Sequence, residues 1–153
     1  TRSNSSKKYI DDVYNYGCYV TITDWNQLED GLLGITVLGK YKIHVKDCKL
    51  NENNLLCGNV ETIPDEKEYM IPQKYIILSK FYKKIYPGIK NFISYTNERY
   101  SDASWVGFRL TECLPLDSHT KNKLIATNDG IERLEKLYEI VNKLFKAEIK
   151  DLD

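Results

Sequence analysis

The sequence predicts an α+β protein: an antiparallel β subdomain over residues 18–65, a helical subdomain over 66–153, and a polar tail or loop at 1–17. Three observations predict it. Apolar residues alternate with a period of two through the first part of the chain. Pro64-Asp65 then interrupts the pattern. Beyond it, apolar residues recur every three or four positions, the spacing of a helix face.

The β elements follow in order. Cys18, Val20 and Ile22 alternate with Tyr19, Thr21 and Thr23. Asp30-Gly31 is a hairpin signal, because both residues tolerate positive φ. Ile35 and Val37 continue the alternation, and Gly39-Lys40 is read as a second turn before Ile43 and Val45. If these rows share a face, that second loop needs an odd residue count or a bulge. "NENN" turns the chain again, and a fourth strand runs from Leu56 to Ile63.

The helical elements are equally ordered. Pro72 suits a first helical turn, and Tyr75, Leu78, Phe81, Tyr82 and Ile85 follow at helical spacing until Pro87-Gly88 ends the helix. Ser101 is the expected N-cap of the helix that stops at Leu114-Pro115. Asp117 or Ser118 caps a short helix through Ile125. Asp129 with Glu132 resembles a capping box. The last helix then runs to about Ile149 and buries Ile131, Leu134, Tyr138, Val141 and Phe145, with Glu132–Lys136 and Glu139–Lys143 on its outer side.

Composition narrows the function. The 153 residues carry 22 basic and 22 acidic side chains, so a protein built mainly to coat nucleic acid is disfavoured. With 42% hydrophobic residues the chain can bury a core. No apolar run approaches the ~20 residues of a membrane span. Thr1 is not an initiator and the only methionine is Met70, so the chain is expected to begin inside a longer protein. Cys18, Cys48, Cys57 and Cys113 lack C-x-x-C spacing, and with His44 and His119 they make no zinc pattern. Cys48 and Cys57 flank "NENN" symmetrically and are expected to face each other as thiols in a reducing cytosol.

One stretch imitates a nucleotide site. From Gly34 the sequence reads G-I-T-V-L-G-K-Y, one residue short of the phosphate-cradling loop. The residues between the glycines favour a strand. Tyr41 stands where a Mg²⁺-binding hydroxyl belongs, and another strand follows where a helix must start. No nucleotide, metal or other cofactor is expected. Nor is there a G-x-S-x-G, H-E-x-x-H or D-x-D pattern, so no catalytic residue is assigned.

Two segments together resemble the substrate-binding N-terminal domain of Lon-type ATP-dependent proteases. The first is "ITDWNQLEDGLLGITVLGKYKIHV" (22–45), with Asp24-Trp25, the Asp30-Gly31 turn and the strand ending at Gly39. The second is 102–141, with Ser104-Trp105, Arg109-Leu110-Thr111-Glu112, Leu114-Pro115-Leu116, Leu124-Ile125, and Arg133-Leu134 to Leu137. The resemblance implies a PUA-like β pseudo-barrel followed by a small helical subdomain. The family's opening strands, rich in L-F-P-L and F-P-G, have no counterpart ahead of "YVTITDW". The protease's ATPase and Ser-Lys modules have none either.

What the resemblance carries over is polypeptide recognition without cleavage. The expected partners are polypeptide clients, or a protease or chaperone, in a bacterial-type cytoplasmic setting with no membrane. Trp25 and Tyr41 are the candidate contact residues. Trp25 is expected on the strand face opposite Val20 and Ile22, either as a plug over the barrel mouth, the favoured role, or as an exposed anchor. Asp24, Asp30, Gly31, Gly39, Trp105, Arg109, Glu112, Pro115 and Arg133 are motif residues with structural roles; Trp105 is expected in the core and Arg109–Glu112 as an ion pair. The rival reading is single-stranded nucleic acid on residues 69–97, which hold five lysines, seven Tyr or Phe, and no acid. Lys80, Lys83 and Lys84 cluster opposite Ile77, Phe81 and Ile85, as on a solvated helix face.

Overall fold

A computed structural model describes residues 13–90 and 97–152. Contacts divide the chain between Asp65 and Glu66 into a β unit and a helical unit. The β unit is a three-stranded antiparallel sheet of order β1-β2-β3, with β1 Tyr16–Gln27, β2 Leu33–Leu50 and β3 Leu56–Thr62. Its first turn holds Gly31 at φ 83°, with the Leu32 N–H donating to Asp30 Oδ1 at 3.0 Å. In the second, Asn51 Oδ1 accepts from the N–H groups of Asn53 and Leu55, each at 2.9 Å.

Two expectations fail in the sheet. Gly39-Lys40 is no turn: β2 continues through it, and a bulge between the Tyr19–Tyr41 and Val20–Gly39 pairs absorbs Lys40. Gly39 keeps negative φ, and its role is close approach, since an added Cβ would lie 3.2 Å from Cys18 Sγ. The bulge puts Tyr41 and Ile43 on the face opposite Val37 and Gly39. Cys48 and Cys57 also do not face each other. Cys48 pairs with Gly58 and Cys57 with Lys49, so the thiols lie on opposite faces. Among the described residues β1 and β3 are the two edges of an open sheet.

The helical unit begins with a 3₁₀ turn at Gln73–Tyr75 and continues through α1 Ile76–Ile89, α2 Ala103–Cys113, α3 Ser118–Ala126, α4 Gly130–Leu144 and α5 Lys146–Lys150. Three aspartates start three of these helices. Asp102 accepts from the N–H groups of Ser104 and Trp105, Asp117 from that of Thr120, and Asp129 from those of Ile131 and Glu132. Each side chain satisfies N–H groups that have no partner inside the helix. The cap of α2 is therefore Asp102 and not its neighbour Ser101. Of the capping box the Asp129 half is formed, while the Glu132 carboxylate accepts from Lys136 Nζ at 2.7 Å, the i,i+4 pair read from the sequence.

Two helix ends also shift. Pro87 and Gly88 lie inside the last turn of α1, where proline's fixed φ is compatible with the helix. The final helix breaks at Phe145, whose φ of −127° is not helical, before α5 resumes. Lys84 Nζ and Lys80 Nζ then donate to the carbonyls of Glu148 and Leu152 at 3.0 and 2.8 Å, satisfying acceptors at that end.

The core belongs to the helical unit. Leu78, Phe81, Tyr82, Val106, Leu110, Leu134 and Leu137 are buried together. Trp105 completes it, with ring contacts to Tyr82 at 5.6 Å and Tyr100 at 5.3 Å, both edge-on. No helix among the described residues is long and apolar enough to cross a membrane.

Candidate functional site

The β unit leaves an apolar face in solvent. A second bulge, between Ile22 and Asp24, resets the alternation of β1. Without it Trp25 falls opposite Ile22; with it Trp25 pairs with Ile35, and Ile22 with Val37, on one face. These four side chains are 67%, 53%, 59% and 45% exposed respectively. Exposed Val20 and Leu33 extend the row at either end. Trp25 is therefore exposed and shares the face of Val20 and Ile22, contrary to the expected plug on the opposite face.

Tyr41 lies on the other face, where its ring stacks on Tyr19 at 4.8 Å and 3°. The two candidate contacts are thus not brought together. Asp24 accepts from the Trp25 N–H at 2.8 Å. On the Trp25 face, beyond the apolar row, lie His44 and Glu61, which form a cross-strand pair. Lys46 Nζ reaches Glu61 at 2.5 Å and holds that carboxyl below its ordinary range.

The sequence named Arg133 as a structural motif residue but not its partner Glu66, with which it forms the polar centre of the helical unit. Arg133 is 0% exposed. Its Nη1 donates to Glu66 Oε2 at 2.8 Å, Nη2 donates to Glu66 Oε1 and the Thr127 carbonyl, and Nε donates to the Leu124 carbonyl at 2.9 Å. Its guanidinium carbon stands 3.8 Å from the Phe108 ring centroid. Gly107 gives it room, since an added Cβ there would lie 3.1 Å from Arg133 Cδ. Glu66 also accepts from Ser104 Oγ at 2.7 Å, while Glu68 pairs with Arg99. Two carboxylates thus tie the start of the unit to its helices. The available signal was an arginine on the apolar stripe of α4, which demands a buried anion. Arg109 and Glu112 pair at 3.2 Å, and Pro115 follows the end of α2.

Of the five described aromatics of the basic segment, three are buried in the core, Tyr86 is partly buried and Tyr69 is exposed. Tyr75, Phe81 and Tyr82 are core residues, and Lys83 sits 4.7 Å from the Tyr100 ring centroid. Phe92 and Tyr95 lie outside the described residues. Among the described residues, no group of three or more His, Cys, Asp or Glu could hold a metal ion.

The chain is thus of the α+β class, with a packed helical unit and an antiparallel sheet that carries exposed apolar side chains on one face. Comparison with known proteins supplies the family. Residues 1–143 match the ATP-dependent protease La (LON) substrate-binding domain, and the chain belongs to that family. It is 26% identical over 137 residues to the Lon protease of Endomicrobium trichonymphae, covering 86% of this chain but only 17% of that protein. A Lon N-terminal domain protein from Xanthomonas campestris is similar in structure, with TM-score 0.67 and 25% identity, over 82% of this chain and 67% of that one. The N-terminal domain of a Mycobacterium avium complex Lon protease shares the fold at TM-score 0.56 and 20% identity, over 82% and 68%.

Proposed function

We propose that this chain is a non-catalytic module that recognises polypeptide segments and delivers no chemistry of its own. The observation that carries the reading is the apolar ladder Trp25–Ile35 and Ile22–Val37 standing in solvent. Exposed apolar area of this kind marks an interaction surface. Trp25 is the anchor, because its large rigid ring contributes area at low entropic cost. Tyr41, stacked on Tyr19, serves a separate contact on the other face. A PUA-like closure of the β unit and a cytoplasmic setting belong to the same proposal. Family membership supports both, and apolar residues on both sheet faces support the closure.

The test uses reduced, carboxymethylated α-lactalbumin, a permanently unfolded chain, labelled for fluorescence anisotropy. Trp25→Ala is expected to weaken its binding about thirtyfold, the loss of a ~2 kcal/mol anchor, with the helical circular dichroism unchanged. Wild-type protein that fails to bind this chain, or that hydrolyses it or ATP unaided, overturns the reading.

A further inference from the structure

A second surface lies wholly within the helical unit. Residues 69–71 run antiparallel to 101–103: the Ile71 N–H donates to the Ser101 carbonyl at 3.0 Å and the Ala103 N–H to the Tyr69 carbonyl at 2.8 Å, with Met70 opposite Asp102. In this pattern the N–H and C=O of the central residue point away from the partner segment. Those of Met70 have no hydrogen-bond partner among the described residues, and Met70 is 75% exposed. Unpaired main-chain groups on a strand edge are a template for another chain.

The pairing borders a groove of about 870 Å³, whose lining includes Tyr69, Ile71 and Ile76. This is the size range of ligand sites. Most of its polar side chains are already engaged, although Asp102 Oδ2 faces only the Arg99 charge and accepts no hydrogen bond. Ser79 Oγ donates to the Tyr100 carbonyl at 2.6 Å, Arg99 pairs with Glu68 and Asp102, and Lys80 is held by the Leu152 carbonyl. Among the described residues of the lining, three cations, Lys80, Lys83 and Arg99, stand with three carboxylates, Glu68, Glu98 and Asp102, so that set is formally neutral. A polyanion gains no net attraction there. What is left to satisfy is chiefly main chain and apolar surface, and an extended neutral peptide supplies both.

We propose that this groove takes an extended polypeptide segment, which pairs with the free main-chain groups of Met70 as an added strand and seats an apolar side chain in the groove. Main-chain pairing gives affinity that depends little on sequence, while the groove selects for apolar side chains. The inference rests on the polypeptide-binding reading and adds a second contact to it, separate from the Trp25 face.

The experiment places a photoreactive benzoylphenylalanine at position 70 and, in a separate protein, at position 35. Each is irradiated with reduced, carboxymethylated α-lactalbumin. Adducts from position 70 are expected. Met70→Pro, which removes the N–H, is expected to weaken binding about fivefold, the scale of one net hydrogen bond. Adducts from position 35 with none from position 70 overturn the groove proposal and leave the sheet reading standing. Wild-type affinity in Met70→Pro also overturns it. No binding of the probe to wild-type protein overturns both.

Discussion

Glu66 grips Arg133 with both carboxylate oxygens across 67 positions of sequence, in a site where the two side chains are 5% and 0% exposed. Removing one member leaves the other as an uncompensated buried charge. Glu66→Ala is therefore expected to cost about 3–5 kcal/mol of unfolding free energy by urea titration. The double variant Glu66→Ala/Arg133→Met is expected to recover part of that loss, because it removes the stranded charge. A double variant no more stable than the single one would show that lost packing, and not charge, sets the cost.

Gly130 and Gly88 make a controlled pair. A Cβ at Gly130 would fall 2.7 Å from the Ser104 backbone nitrogen, which cannot swing aside, whereas one at Gly88 meets nothing within 4 Å. Gly130→Ala is expected to destabilise by about 1–3 kcal/mol. Gly88→Ala, inside α1, is expected to be neutral or to stabilise by up to ~1 kcal/mol. Differential scanning calorimetry of both variants distinguishes them.

Burial pushes the Cys113 thiol up to about 11, with Glu112 acting in the same direction. Burial, with the Glu98 carboxylate second, pushes the Tyr100 phenol up to about 12. Both groups hold their protons more firmly folded than unfolded, where 9.0 and 10.0 apply. Their contribution is complete below pH 9 and is lost as pH rises through the window from 9 to 12. The urea midpoint is expected to fall across that window, and Cys113→Ala to move the onset up toward pH 10, where Tyr100 begins to titrate.

The four thiols divide by access. Cys18 and Cys57 are exposed, Cys48 is buried, and Cys113 is partly buried with a raised pKa. Iodoacetamide at pH 8 is expected to alkylate two cysteines quickly and two slowly, read by mass spectrometry of quenched time points. Fast labelling of Cys48 would contradict its burial in the sheet.

The two tryptophans report on separate units. Trp25 stands largely in solvent and Trp105 in the core. Trp25→Phe is expected to remove the red-shifted, acrylamide-quenchable part of the emission and leave a blue-shifted, protected remainder. Binding of an unfolded polypeptide on the sheet face is expected to protect the wild-type signal and not that of Trp25→Phe.

Helix starts were largely legible because their chemistry is local. Asp117 and Asp129 announce themselves within three residues of the groups they cap. Ser101 and Asp102 are both cap formers, and only the geometry of the turn chooses Asp102. A bulge at Gly39-Lys40 was one of two readings the alternation allowed, but the bulge at Thr23 was not legible, because register is a property of two strands together. The Thr23 bulge alone carries Trp25 to the face opposite Tyr41. The break at Phe145 carries no glycine or proline to signal it. Glu66 reads as one more acid in a polar stretch until α4 brings Arg133 to it.

That last pairing also has a temporal side. A ribosome adding roughly 5–20 residues per second delivers position 133 several seconds after position 66. Through that interval the sheet hairpins and the Glu66 carboxylate exist without their guanidinium partner. The helical unit can close only when α4 arrives, so its cooperative folding waits on a residue made 67 positions after its partner.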